Sequence, residues 1–174
     1  ELAYLDRDHG LGAEGRFMLN PAMLAKLIQL SEVSSNDVVL LIGAGAGYTP
    51  ALFSTLASSV VAVEENQELA KQADENLTRL GYANVAVLNG SFDQGFAREA
   101  PYDVIFMETS VEAVPEEWLE QLAEGGRLIC VLGTGSAARA FVYTKQGGII
   151  GAVSEFNCAA PTLPGFEKKA EFAL

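Results

Sequence analysis

A chain of 174 residues that is 49% hydrophobic and 20% charged, with a mean hydropathy of +0.20, can bury a core and is not of disordered composition. Its net charge of −12 and pI near 4.4 argue against a nucleic-acid partner, because such binding draws on Lys and Arg neutralising phosphates. No apolar run approaches the roughly 18 residues that read as a membrane span, and the opening ELAYLDRDHG lacks the basic start and apolar centre of a signal peptide.

These features lead us to expect one cytoplasmic domain over residues 1–174, with no membrane partner. Because the chain opens with Glu rather than Met, a preceding segment is also expected. The two cysteines, Cys130 and Cys158, are too few for a zinc cluster or disulfide framework and read as buried thiols, so no metal site is expected.

In chain order, an irregular glycine-containing start precedes a helix over Pro21–Gln29, with Asn20 as its N-cap and Pro21 in its first turn. Asp37–Ile42 is a continuous apolar strand, and Tyr48–Ala57 a helix that tolerates Pro50 in its opening turn. Val60–Val63 is a second strand, ending at Glu64, and Asn66–Leu80 an amphipathic helix closed by Gly81. Val85–Leu88 and Asp103–Met107 are further strands. Glu116–Leu122 reads as a helix stopped by Gly125 and Gly126, before a strand over Arg127–Leu132.

Apolar strands separated by helices predict an α/β fold: a doubly wound, three-layer, Rossmann-like sheet, mainly parallel. The last stretch, ARAFVYTKQGGIIGAVSEF, holds two strand-like runs around Gln146, Gly147 and Gly148 and predicts an antiparallel C-terminal hairpin.

Such a sheet binds ligands beyond the carboxyl ends of its strands, so the turn after the first apolar strand is the place to look. That turn reads Gly43, Ala44, Gly45, Ala46, Gly47. A dinucleotide fingerprint needs a further glycine where this chain has Tyr48, so the turn fits S-adenosylmethionine better than NAD. Glu64, roughly 20 residues on, is placed to accept hydrogen bonds from both ribose hydroxyls. Either part alone has a plain reading, a tight turn or a solvated acid; the combination is the more informative.

These stretches resemble the protein-L-isoaspartate O-methyltransferases, class I enzymes that use S-adenosylmethionine. The resemblance runs through AYLD, GRFMLNP, VVLLIGAGAGY, VVAVEEN, NVAVLNGSF, APYDVIFM and LAEGGRLICVLG. It implies S-adenosylmethionine as cofactor, S-adenosylhomocysteine as product, and a protein or peptide carboxylate as the methyl acceptor. The implied cofactor residues are Gly43, Ala44, Gly45, Gly47, Tyr48, Glu64, Glu65, Ser91 and Phe92, with Glu108 and Asn20 the candidate catalytic residues.

The chain departs from the family pattern at functional positions. In Gly15, Arg16, Phe17, Met18, Leu19, Asn20, Pro21, the family's serine is Leu19, which has no hydrogen-bonding group for an isoaspartyl carboxylate. Leu41 replaces the acid before the turn, a loss worth about 1.5 to 3 kcal/mol, or about ten- to a hundredfold in affinity. Ser91 replaces the aspartate that meets the adenine amino group, while Phe92 remains available to lie against the ring.

Glu108 is an acid where the family has a small neutral residue; it reads as a general base for a hydroxyl or amine acceptor, or as a solvated glutamate at a strand end. Two functions stay open: an O-methyltransferase with an altered acceptor site, or a catalytically degenerate member that binds cofactor or a partner. A nicotinamide oxidoreductase ranks third. His9 reads as a surface residue, Trp118 as packing, and Thr109 and Ser110 as turn residues or acceptor-pocket lining.

Overall fold

The computed structural model describes residues 5–13 and 15–166. Ala3 and Tyr4 of the AYLD stretch lie outside the described residues. The irregular start contains a two-residue ladder, β1 (His9–Gly10) antiparallel to β2 (Phe17–Met18). It leads into α1 (Pro21–Leu30), where the Asn20 side chain accepts from the Met23 amide at 3.0 Å. Asp8 in turn accepts from the Asn20 amide at 2.8 Å and from its Nδ2 at 3.1 Å, and Asp6 accepts from the Ala22 amide at 3.0 Å. The strap before β1 therefore satisfies amide donors that the first turn of α1 leaves orphaned.

There follow β3 (Val38–Ile42), α2 (Tyr48–Ser54), β4 (Ser59–Glu64), α3 (Gln67–Leu80) and β5 (Val85–Asn89). After them come β6 (Tyr102–Val111), α4 (Glu116–Glu120), β7 (Leu122–Leu132), β8 (Arg139–Gln146) and β9 (Ile149–Asn157). The seven strands of the main sheet are ordered β5-β4-β3-β6-β7-β8-β9. The first five positions pair in parallel and the last two antiparallel, with Gly147 and Gly148 at positive φ in the hairpin turn as expected.

Pleating sends alternate residues of β3 to opposite faces. Val39 and Leu41 join Leu24, Leu27, Phe53 and Ala73 beneath α1, α2 and α3, while Leu40 and Ile42 pack with Trp118, Phe92 and Leu163. The second face is thus covered by α4 and by irregular segments. Both Cys130 and Cys158 are buried and free.

Three boundaries differ from expectation in ways that matter. Helix α2 ends at Ser54 rather than Ala57, because Thr55 and Leu56 close the chain in a tighter turn onto Leu52 and Phe53. Strand β6 runs on past Met107 to Val111, which carries Glu108 and Thr109 inside the sheet. Helix α4 ends at Glu120, and Gly125 and Gly126 lie within β7 rather than terminating the helix. At Gly126 a Cβ would stand 2.8 Å from the Tyr102 carbonyl, so glycine is what lets β7 pass so close to β6.

Among the described residues no helix is long and apolar enough to cross a membrane, and no group of three or more His, Cys, Asp or Glu side chains is arranged to hold a metal ion.

Candidate functional site at the carboxyl ends of β3 and β4

The turn between β3 and α2 holds Gly43, Gly45 and Gly47 at φ of 95°, 54° and 97°. Side-chain-bearing residues rarely adopt such values, so the glycines are conformational requirements as well as openings for close approach. Gly47 also packs against α3, where a Cβ would meet the Ala73 carbonyl at 3.3 Å. Ala44 is buried in the core beneath the turn.

Glu64 ends β4 and is fully buried. Its carboxylate accepts the Gly45 amide at 3.0 Å through Oε2 and the Asn66 amide at 3.1 Å through Oε1, so the turn and the start of α3 fix it in place. A buried carboxylate needs more than two neutral donors. The remainder comes from Arg16, which lies 48 residues earlier and reaches both oxygens, Nη2 at 2.8 Å and Nη1 also in contact.

Arg16 is itself buried, with 7% of its surface exposed, and its guanidinium carbon stands 4.9 Å from the centre of the Phe92 ring. The face of that ring therefore carries a cation. Phe92 is held by its own amide, which donates to Glu65 at 2.7 Å, and by its carbonyl, which accepts from Trp118 Nε1 at 2.7 Å. Ser91 is exposed and its hydroxyl is shared between the carboxylates of Glu65 and Asp93.

Gly43, Gly45, Glu64 and Phe92 meet around the Arg16 side chain, with Glu65 holding the Phe92 amide and the Ser91 hydroxyl, whereas Ala44 lies in the core and Gly47 packs on α3. A recess opens beside Arg16, about 270 Å³, and is lined by Arg16, Glu65, Asn66, Phe92 and Pro164. Tyr48 lies elsewhere: it is 46% exposed and, with Leu52 and Thr55, lines the grooves that α2 makes with α1 and α3. Another recess, about 730 Å³, lies over β4 and β5 and includes Val38, Ser59, Val60 and Val85 at the amino ends of their strands. Ligands of doubly wound sheets bind at the opposite ends, so it is not the candidate site.

Glu108 is not a solvated glutamate. It is 8% exposed, and its Oε2 accepts the Thr49 hydroxyl at 3.2 Å. Burial pushes its carboxyl up to about 7, opposed by the Thr49 hydroxyl, the Leu19 amide and the Arg16 charge, and reinforced by the charge of Asp8. Leu19 lies buried in the core with Leu24 and Leu27. Asn20 has both ends of its amide engaged, one by Met23 and the other by Asp8, so its observed work is capping. Ser110 is bonded to the Ala160 carbonyl and the Thr162 hydroxyl, whereas the buried Thr109 hydroxyl has no partner among the described residues.

Sequence reasoning missed Arg16 as a member of the site. It registered only as one of the residues in GRFMLNP, since no local spacing links it to Glu64. Thr49 was likewise hidden in the helix that opens with Tyr48.

A mainly parallel sheet, a glycine turn after its central strand and a fixed acid ending the neighbouring strand together define the class I methyltransferase fold. The family model described as "Protein-L-isoaspartate(D-aspartate) O-methyltransferase (PCMT)" matches residues 1–159, and the chain belongs to that family.

The protein-L-isoaspartate O-methyltransferase of Koribacter versatilis is 36% identical over 134 residues, covering 77% of this chain and 60% of its own. A second, from Pelobacter propionicus, is 37% identical over 165 residues, covering 94% of this chain and 72% of its own. A solved protein-L-isoaspartate O-methyltransferase superposes with a TM-score of 0.83 at 30% identity, over 93% of this chain and 54% of that one. Several matches therefore extend well beyond the length spanned here. A putative family member from Plasmodium falciparum, solved with S-adenosyl-L-homocysteine, matches with a TM-score of 0.75 at 23% identity, over 92% of this chain and 81% of that one; this likeness speaks to fold.

Proposed function

We propose that the chain is an S-adenosylmethionine-dependent O-methyltransferase with an acceptor site altered from the isoaspartyl type. The observation that carries this reading is Glu64, a fully buried carboxylate oriented by the Gly45 and Asn66 amides beside three glycines at positive φ. Membership of the family and the complex of the Plasmodium protein with S-adenosyl-L-homocysteine support it.

The donor set suits the cofactor in kind. Glu64 offers two acceptor oxygens to a ribose diol, Phe92 a ring for adenine, the turn a backbone without Cβ atoms, and Ser91 with Glu65 polar groups for the base edge. It does not suit it as it stands, because Arg16 already engages both Glu64 oxygens.

Bound S-adenosylmethionine supplies a methyl group already activated by its sulfonium, so the protein's task is alignment and exclusion of water. Glu108, raised to about 7 and within the sheet, is suited to take the proton of a hydroxyl or amine acceptor near neutral pH. A carboxylate acceptor needs no base, and Leu19 offers it no hydrogen bond. Glu108 and Leu19 together therefore favour a neutral hydroxyl or amine acceptor over an isoaspartyl carboxylate.

The Arg16–Glu64 pair also favours a second reading, a family member without catalysis that serves as a binding module. Transfer of labelled methyl from S-adenosylmethionine to a panel of isoaspartyl peptides, hydroxyl compounds and amines separates the two. Turnover on a hydroxyl or amine supports the proposal, whereas cofactor binding without transfer to any member of the panel supports the second reading.

A further inference from the structure

We infer that Arg16 is a displaceable internal occupant of the adenosine site, held on Glu64 until a nucleoside diol replaces it. This rests on the cofactor reading above. Three contacts place the guanidinium where ribose would lie. Nη1 and Nη2 bond the two oxygens of Glu64, Cζ stands 4.9 Å from the centre of the Phe92 ring, and a Cβ on Gly43 would meet Nη2 at 3.4 Å. The same three features, an acid, an aromatic face and a backbone open at glycine, are those a nucleoside would use.

The recess that remains, about 270 Å³, falls below the roughly 300–1,000 Å³ usual for small-molecule sites. Because the guanidinium already engages both oxygens of Glu64, a ribose diol can bond that carboxylate only once the guanidinium has left. Its departure is feasible for a physical reason: Arg16 is an incomplete fit. Its Nε is buried with no hydrogen-bond partner among the described residues, so the guanidinium leaves a donor unsatisfied where it lies and regains hydration in solvent. Glu64, by contrast, stays anchored by the Gly45 and Asn66 amides and can accept a diol in place of the two N–H groups. Arg16 keeps the buried acid neutralised in the free protein and taxes ligand affinity by the same contact.

The test is calorimetric titration of the wild type, Arg16→Gln and Arg16→Lys with S-adenosylhomocysteine and with adenosine. Losing a charge-assisted bidentate contact from the free state should tighten both ligands about ten- to a hundredfold in Arg16→Gln, with a smaller gain for Arg16→Lys, which lacks the fork. In a Glu64→Gln background the Arg16→Gln gain should vanish, because the contact it removes is no longer a charged pair.

A second measurement needs no variant. The Arg16 guanidinium protons, followed by NMR in the wild type, should exchange slowly in the free protein and fast when S-adenosylhomocysteine saturates it. Equal affinity in wild type and Arg16→Gln, weaker binding in Arg16→Gln, or protons that stay protected in the complex would each overturn the inference while leaving the cofactor reading intact. Absence of binding in the wild type and in every folded variant would overturn both.

Discussion

Glu108 and Leu41 both lie toward α2: Leu41 pairs with Phe106 across β3 and β6 and shares a core cluster with Phe53 of α2, while Glu108, two residues on in an irregular stretch of β6, bonds to Thr49 of the same helix. The negative charge that the family resemblance expects at the end of β3 is absent there, and a buried acid stands on the neighbouring strand instead, bonded to Thr49 of α2.

That placement has a signature in pH. Glu108 is raised from 4.5 to about 7, so between those values the folded chain holds a proton that the unfolded chain has released. Its contribution to stability is present at low pH and is lost as pH rises through this window, by about 3 kcal/mol at most. Denaturant titrations at pH 5 and pH 8 should show a larger loss for the wild type than for Glu108→Gln; an identical loss in both would remove Glu108 as the source. If Glu108 is the base, kcat/KM should also rise with pH through about 7.

Trp118 ties the core to the site. It is fully buried and its Nε1 holds the Phe92 carbonyl at 2.7 Å. Trp118→Phe should cost about 1 to 3 kcal/mol through the unsatisfied carbonyl and lost volume, and Trp118→Ala about 3 to 5. Both should weaken S-adenosylhomocysteine by loosening Phe92. Thermal melts and calorimetry read the two effects separately, and a destabilised variant with unchanged affinity would show that Phe92 does not touch the ligand.

Gly45 has φ of 54° and donates its amide to Glu64, and a Cβ there would meet Leu11 at 3.1 Å. Gly45→Val adds strain and bulk at the point of closest approach, so binding of S-adenosylhomocysteine should be lost. Unchanged affinity in that variant would take the turn out of the site.

Leu19 is packed in the core, with its backbone amide toward Glu108. An isoaspartyl peptide should therefore be a poor substrate for the wild type, since this position offers the acceptor no side-chain hydrogen bond. Efficient methyl ester formation with such a peptide contradicts this reading of the acceptor site.

The sheet was legible because its signals are local. Val38–Ile42 is apolar throughout, Gly81 takes the left-handed cap of α3, and two glycines turn the last hairpin. The glycine turn and Glu64 were legible for the same reason, being fixed by spacing along one strand–helix–strand unit. Gly125 and Gly126 misled, since two glycines after an amphipathic run signal a helix end equally well as a strand in close approach. Tyr48 misled because the turn sequence does not say which way the first residue of a helix points, and here it joins the 48, 52, 55 stripe on the outer side of α2. Arg16 and Glu64 meet only through the tertiary fold, so no periodicity announces the pair.

The most direct measurement is calorimetric titration of the chain with S-adenosylmethionine and S-adenosylhomocysteine, with NAD as the control. The account predicts saturable one-to-one binding of the first two and none of NAD, because Glu64, once Arg16 has left it, accepts a ribose diol, while Tyr48 stands where a dinucleotide turn needs glycine. No heat from either sulfur ligand, or equal binding of NAD, would contradict it.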